Sequence, residues 1–311
     1  MSDLDYRYLQ SIYSYEPLQL EKLCRISDLL AQVSRIPFLR DRLSLYGGTA
    51  INLIHLPRPQ RLSIDVDFNY RHRDEETDWG EIRGRMDELI KHALYTLGYG
   101  DLDIKIDPSY PLCRFNVRYI NHRNRGDSFN IETGYMRRMP LLAEDDHKEF
   151  NHLCRDIRPV LMTPKLEEIL SNKWVTLLKR ATPRDLYDAH SITKTCMDLK
   201  AFRKLVILDS FMVLKKPLTQ IKPANKINVI QYDHSIRLVT RIDQEFNLEL
   251  KDEVTEFSKG IISSITEKER RCIEKFYNEK KFKPGLLELN NINPNIENHP
   301  AILWTLSEKA I

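Results

Sequence analysis

Two stretches of sequence decide the fold of this chain: Leu43-Ser44-Leu45-Tyr46-Gly47-Gly48-Thr49 and Arg61-Leu62-Ser63-Ile64-Asp65-Val66-Asp67-Phe68. A short apolar run meets two glycines, and the spacing after them predicts a helix over residues 50–54 that ends before a proline. Residues 62–68 alternate, so that their apolar side chains share one face of a predicted strand and both aspartates share the other. The pattern therefore predicts a backbone turn beside a pair of carboxylates.

The glycine turn predicts a phosphate-binding element. Without a side chain, glycine lets backbone N–H groups approach a phosphate, and the N-terminus of the following helix favours an anion. Thr49 adds a hydroxyl that can donate to a phosphate or cap the helix. Gly47, Gly48 and Thr49 are therefore candidate nucleotide-binding residues, and Ser63, just ahead of the aspartates, is a fourth. A tight strand-to-helix turn without a ligand is the alternative.

The aspartate pair predicts a metal site. Asp65 and Asp67 project in parallel from one strand, and their mutual repulsion is relieved when Mg²⁺ (or Mn²⁺) lies between them and a triphosphate. A solvated strand face is the alternative. Glu132, on the polar face of a predicted neighbouring strand, is the candidate third ligand or proton acceptor. Asp103 and Asp107 compete with it.

The rest of the chain predicts an α+β protein. Helical periodicity covers residues 17 to about 37 and 78–97, and three alternating segments, 102–106, 113–119 and 129–133, predict an antiparallel meander that extends the sheet. From Pro164 onward the pattern is mainly helical. We therefore expect a mixed or antiparallel sheet with flanking helices in domain 1–160, followed by a helical domain, 161–311.

A second polar cluster falls in the predicted helical domain. Lys173 and Arg180 are two helical turns apart and are candidates for neutralising triphosphate charge. Thr182, Pro183 and Asp185 have the pattern of a helix start, namely N-cap, N1 and N3, so capping alone would account for Asp185. Judged only by its residues, this cluster is typical of a structural role.

Composition indicates the cellular compartment and the kind of partner. There are 48 basic and 45 acidic side chains, for a net charge of +3, and the five cysteines are widely separated, which favours a reducing compartment without disulfides. The start of the chain lacks a signal-peptide pattern and no stretch is apolar enough to span a membrane, so we expect a cytoplasmic protein without a membrane partner. Basic residues near the candidate site favour an RNA partner, with scattered solvated side chains as the alternative; they are Arg58, Arg61, Arg71, Arg73, Arg118, His122, Arg123, Arg125, Arg137, Arg138, Lys179, Arg180 and Arg184.

Three blocks together resemble the AbiEii/AbiGii-type toxin family of the DNA-polymerase-β-like minimal nucleotidyltransferase superfamily. They are Gly47-Gly48-Thr49-Ala50, residues 61–68 and Lys173 … Arg180 … Arg184-Asp185-Leu186-Tyr187-Asp188, and the resemblance covers about residues 40–195. It implies that Asp65 and Asp67 hold the metal, that Gly48 and Thr49 contact phosphates, that Lys173 grips the triphosphate and that Asp185 supports the site. The loop before Asp65 is about two residues longer than usual, and Asn172 stands where an acid commonly precedes the family lysine.

The resemblance also implies a function. We expect Mg²⁺-dependent transfer of a nucleotide from an NTP, with release of pyrophosphate, to an RNA acceptor such as the 3′ end of tRNA, and a cognate antitoxin protein as a partner. Three alternatives stay open: transfer to a small hydroxyl compound, transfer to a protein side chain, and a non-catalytic module that only binds NTP.

Overall fold

The computed structural model describes residues 5–56, 60–71, 79–195, 197–231, 234–243 and 249–308. It divides into two compact units. The first unit contains Met1–Arg138, Asp145–Pro164 and Arg237–Gln244, and the second contains Met139–Glu144, Lys165–Ile236 and Glu245–Ile311. In the described part of the chain, no helix combines the length and apolar character needed to cross a bilayer.

The first unit is built on a mixed sheet of seven strands in the order β3-β4-β5-β2-β1-β7-β6. Its strands are β1 Leu43–Tyr46, β2 Val66–Tyr70, β3 Ile104–Asp107, β4 Leu112–Ile120, β5 Gly126–Gly134, β6 Asp146–Glu149 and β7 Val160–Thr163. The predicted meander is confirmed, since β4 pairs antiparallel with both β3 and β5. β2 pairs antiparallel with β1 and parallel with β5, which makes the sheet mixed as expected.

Three features of this sheet differ from the sequence-based expectation. β2 begins at Val66 rather than at Leu62, so Asp65 lies just ahead of the strand. β6 and β7 were not predicted, because Asp146–Glu149 has no apolar alternation and Val160–Thr163 is a short apolar run of ambiguous type. The expected absence of disulfides is wrong: Cys24 and Cys154 form one, with their Cα atoms 5.8 Å apart.

Helices cover this sheet. They are α1 Tyr6–Tyr13, α2 Pro17–Arg35, α3 Pro37–Arg40, α4 Gly47–Ala50, which continues into a π-helical turn over Ile51–His55, and α5 Trp79–Thr96. α2 ends where predicted, because Ile36 precedes a proline and adopts an extended backbone. Leu20, Ile26 and Val33 on its apolar stripe are fully buried, so hydrophobic burial fixes this helix against the sheet unit.

The second unit is helical, as expected for the region after Pro164. Its helices are α6 Leu166–Arg180, α7 Pro183–Thr193, α8 Leu199–Val213, α9 Pro223–Ile227, α10 His234–Val239 (whose last residues belong to the first unit), α11 Glu249–Ser263, α12 Glu267–Asn278 and α13 Pro300–Glu308. Trp174 of α6 is fully buried, and its Nε1–H donates to Ser258 Oγ of α11 at 3.2 Å. A buried Arg203–Glu269 ion pair joins α8 to α12, with Nε and Oε2 3.0 Å apart.

Candidate active site

The backbone of the turn between β1 and α4 lies against the side chain of Asp67. Gly47 has a φ of +70°, and a Cβ added there would lie only 3.1 Å from Cγ of Asp67 and closer still to Oδ2. Both the left-handed backbone and this close approach therefore require glycine. Tyr46 lies opposite Asp67 in the β1–β2 register, so the predicted turn and the predicted carboxylates do come together.

The strand register places a row of charged side chains beside this turn. Asp67 of β2 lies next to Glu132 of β5, and Glu132 lies opposite Arg114 of β4. Arg114 Nη2 and Glu132 Oε1 are 2.6 Å apart, and the arginine is about half exposed. One face of three adjacent strands thus has the order cation, carboxylate, carboxylate.

A second row runs parallel to the first and ends on Asp65. Asn116 Nδ2 of β4 donates to Asn130 Oδ1 of β5 at 3.0 Å, and Asn130 Nδ2 donates to Asp65 Oδ1 at 3.2 Å. Because an asparagine side chain has both a donor and an acceptor, Asn130 can be oriented by one neighbour while it orients the other. This contact also shows that Asp65 faces the same side of the sheet as Asn130.

The backbone around Asp65 is held by the helix that follows the glycines. The hydroxyl of Thr49 is fully buried and donates to the carbonyl of Asp65. Asn52 donates to the carbonyl of Arg61 at 3.2 Å and accepts from the amide of Ser63. Thr49 lies inside the helix and does not cap it, since the N-cap is Tyr46. Its contact with phosphates, and that of Gly48 and Ser63, stays a prediction.

The fold separates the candidates for a third acid. Glu132 lies beside Asp67, whereas Asp107 ends β3, two strands farther from β2, and Asp103 directly precedes that strand. Among the described residues, no group of three or more His, Cys, Asp or Glu side chains is arranged to hold a metal ion. The geometry therefore favours Glu132 over the other two, but the carboxylate of Glu132 is paired with Arg114, and its role as a ligand stays a prediction.

In the second unit, the other predicted site residues contact one another. Lys173 Nζ lies 3.1 Å from Asp188 Oδ2. Arg180 grips Asp185 with two hydrogen bonds of 2.7 Å each, from Nε and Nη2. Thr182 and Asp185 form the predicted capping box at the start of α7, so capping is confirmed and the buried Asp185 has a structural role in this helix start. Their contributions to the active site stay predictions.

A half-buried histidine ends the helical segment that begins at the glycines. His55 lies 3.3 Å from Thr163 Oγ1 through Nε2. Burial, and then the positive charge of Lys148, lowers the pKa of His55 to about 4. The ring is therefore neutral at pH 7 and contributes no positive charge to this part of the first unit.

Some of the arginines expected to contact RNA have structural contacts, and others are exposed. Arg71 is buried and its Nε lies 3.1 Å from Asp145 Oδ2, while Arg61 is also buried and donates to the carbonyl of Leu62 at 3.0 Å. Both have structural contacts within the first unit. Arg118, Arg123 and Arg125 are exposed. Arg58 and Arg73 lie outside the described residues.

Sequence reasoning missed three parts of this site. It did not assign a function to Asn116 or Arg114, and it noted Asn130 only as sharing a face with Glu132. All three alternate with buried residues on strands of the predicted meander. The signal that could have found them is the register of that meander, which no single strand reveals.

A glycine turn pressed against paired carboxylates on a mixed sheet is an arrangement suited to a nucleotidyltransferase. The sequence model of the family described as "Nucleotidyl transferase AbiEii toxin, Type IV TA system" matches residues 28–271. The chain therefore belongs to the AbiEii family of nucleotidyltransferase toxins of type IV toxin–antitoxin systems.

Solved structures agree with this fold. MenT4, a nucleotidyltransferase toxin from Mycobacterium tuberculosis H37Rv, superimposes with a TM-score of 0.65 at 17% sequence identity. The match covers 96% of this chain and 99% of that chain. No curated protein sequence matches this chain. The likeness to MenT4 supports the fold, and the family match identifies the class of enzyme.

Proposed function

We propose that this toxin transfers a nucleotide from an NTP, with Mg²⁺ as the cofactor, to the 3′ end of an RNA acceptor, of which tRNA is the first candidate. The observation that carries the proposal is the contact between the Gly47 turn and Asp67, beside Asp65 on the same sheet face. It joins a helix start formed at glycines, a backbone type that favours an anion, to two carboxylates that can hold a cation.

The residues present fit a magnesium ion. Asp65 and Asp67 supply carboxylate oxygens, the ligand type that Mg²⁺ prefers, and Mg²⁺ is usually bound by one or two carboxylates together with substrate phosphates. When bound, the ion would supply charge neutralisation at the triphosphate and would lower the pKa of the attacking hydroxyl. Asn130 fixes one Asp65 oxygen, so the carboxylate is oriented before any ligand binds.

The proposed reaction is an in-line displacement at the α-phosphorus of the NTP. A bond forms between the acceptor oxygen and the α-phosphorus, the bond to the bridging oxygen of the β-phosphate breaks, and pyrophosphate leaves. The hydroxyl proton is taken by a carboxylate on the polar face, and Glu132 is our candidate. Its ion pair with Arg114 holds this carboxylate on the polar face beside Asp67.

Lys173 remains our candidate for gripping the triphosphate. Its ion pair with Asp188 leaves both side chains largely buried, at 13% and 10% exposure, so the ammonium is held in one place. Lys173→Ala is expected to raise the KM for NTP about tenfold or more, because a charge-assisted contact to phosphate contributes about 1.5–3 kcal/mol. Lys194→Ala is the control, since that lysine is also paired with an acid, Glu253, but is 57% exposed. An unchanged KM in Lys173→Ala would restrict the lysine to a structural role.

The decisive experiment supplies each labelled NTP with Mg²⁺ and total cellular RNA and follows label into RNA bands. Wild type should label a tRNA-sized band, and Asp65→Asn and Asp67→Asn should reduce labelling about a thousandfold or more, since a bound metal contributes several kcal/mol. Asp107→Asn, an exposed acid on β3, is the matched control and should be fully active. Undiminished labelling by either site variant would disprove the site.

The same experiment separates the alternatives. Label that enters a small hydroxyl compound or a protein band, with none in RNA, would replace the proposed acceptor while keeping the chemistry. NTP binding without pyrophosphate release would contradict the proposed transfer reaction. The family implies a cognate antitoxin, and we propose that the toxin meets this antitoxin and its RNA acceptor in the cytoplasm.

A further inference from the structure

A lysine-lined cleft lies in the second unit, and none of its residues is among the metal-binding, NTP-binding or catalytic residues proposed above. Its volume is about 540 Å³. Five lysines line it: Lys179, Lys215, Lys216, Lys222 and Lys226. All five are exposed, and buried Leu178 and Leu214 contribute apolar atoms to its wall.

The charge of this lysine cleft is unbalanced. None of the residues that line it is acidic or aromatic. Within the described ranges, none of its five lysines forms an ion pair, whereas several other lysines of the second unit do, such as Lys259 with Glu256 and Lys275 with Glu279. The cleft therefore carries five lysine charges that no acidic residue of its own lining balances.

Helix ends explain only part of this cluster. Lys179 lies in the last turn of α6, and Lys215 and Lys216 follow the end of α8, where a cation gains from the helix dipole. Lys222 is different, because it is the N-cap of α9 and its ammonium cannot accept a capping hydrogen bond from the first helical turn. A cation gains nothing from the dipole at that end of a helix. Its position is explained better by an anion that binds in the cleft.

We propose that the lysine cleft binds the phosphate backbone of the RNA acceptor; this inference rests on the function proposed above. Lysine ammonium groups act as point charges toward phosphates, and the absence of aromatic residues from the lining removes base stacking. The cleft thus contacts RNA without reading its sequence. An interface for a protein partner would be enriched in Arg, Tyr and Trp and depleted in Lys, which is the opposite of this lining.

The test measures binding of a tRNA mixture over a salt series, in an Asp65→Asn background so that no transfer occurs. The slope of log K against log salt is negative, and each phosphate contact to a single strand contributes about 0.7 to its magnitude. The triple variant Lys215→Gln/Lys216→Gln/Lys222→Gln should therefore reduce the magnitude of this slope by about 2. At about 0.1 M salt this corresponds to roughly hundredfold weaker binding. Lys222→Gln alone should lower the slope by about 0.7, and it keeps the inference testable if the triple variant does not fold.

The matched control is Lys280→Gln/Lys281→Gln/Lys283→Gln, which removes three exposed lysines of the same unit that do not line the cleft. This control should bind tRNA nearly as wild type does. Equal weakening in both triple variants would show a general charge effect and overturn the proposal, as would an undiminished slope in the cleft variant. Loss of antitoxin binding with intact RNA binding would reassign the cleft to a protein partner.

The two proposals fail separately. If wild type transfers no nucleotide to RNA but the cleft variant still loses tRNA binding, the proposed reaction is wrong and the cleft assignment stands. If wild type labels tRNA and the cleft variant binds tRNA like wild type, the reaction stands and the cleft assignment is wrong.

Discussion

Gly47→Ala tests whether the glycine turn and the aspartates form one site. The new methyl group would have to occupy space that the Asp67 carboxylate fills, with Cγ 3.1 Å and Cβ 3.2 Å from the added carbon. Asp67 belongs to β2, which is paired with β1 on one side and with β5 on the other. Because of this pairing, the backbone of Asp67 cannot easily move away from the added methyl group. The side chain of Asp67 must therefore rotate away from its position.

The expected loss of stability in Gly47→Ala has two parts. A φ of +70° at Gly47 is unfavourable for alanine by about 1–2 kcal/mol. The overlap with Asp67 adds an overpacking term of about 1–3 kcal/mol. For activity, a displacement of about 1 Å in a reacting group can lower the rate about a hundredfold. We therefore expect Gly47→Ala to lose about 2–5 kcal/mol of unfolding free energy and at least about a hundredfold in nucleotide transfer.

Gly98→Ala is the matched control. Gly98 also has a positive φ, +88°, but an added Cβ there meets nothing within 4 Å. It should lose about 1–2 kcal/mol from backbone strain alone and keep full transfer activity. Urea unfolding gives the free energies, and labelled-NTP incorporation into RNA gives the rates.

A double-mutant cycle isolates the contact. In Gly47→Ala/Asp67→Ala the overlap with the carboxylate is absent and only the close approach to Cβ remains. The stability lost by Gly47→Ala should therefore be smaller in the Asp67→Ala background than in wild type, by about 1 kcal/mol or more. Wild-type transfer activity in Gly47→Ala, or a coupling energy of zero, would refute the proposed contact between the turn and Asp67.

Two further predictions concern neighbouring side chains. Asn130→Ala removes the donor to Asp65 and should lower the transfer rate about ten- to hundredfold with little change in the KM for NTP; Ser128→Ala, on the same strand face, is the control, and equal losses would contradict an orienting role. Because the pKa of His55 falls from 6.5 to about 4 on folding, the unfolded state binds more protons between these pH values. Through His55, the free energy of unfolding therefore has its full value above about pH 6.5. It decreases by at most about 3 kcal/mol as the pH falls toward 4. Urea unfolding of His55→Gln should show a flatter pH dependence, and a slope equal to that of wild type would exclude this histidine as the cause.

Local sequence patterns were sufficient for most elements of the fold. The helix before Pro37, the meander and the capping box at Thr182 depend on periodicity, proline geometry and hydrogen bonds between near neighbours in the chain. The residues that determine each of these features lie close together in the chain, so the sequence predicts them without knowledge of the tertiary structure. The start of β2 was placed too early because apolar alternation continues ahead of the first paired residue.

Non-local contacts could not be predicted in this way. The Cys24–Cys154 disulfide joins residues 130 positions apart, and residue spacing carries no signal of their proximity. β6 lacks an apolar face and is defined by its pairing with β7. The five cleft lysines come from α6, from the segment after α8 and from α9 with its N-cap, so along the chain they have the pattern of scattered surface charges.

The division between the two kinds of information is clearest in the candidate site itself. The sequence by itself determined that a glycine turn precedes two aspartates on one face, because strand alternation and the freedom of glycine are properties of short segments. Only the tertiary structure decided that Gly47 lies against Asp67, that Asn130 orients Asp65 and that Glu132 lies beside Asp67. These neighbours are set by the register between strands, and register is fixed by the packing of the whole sheet rather than by any one strand.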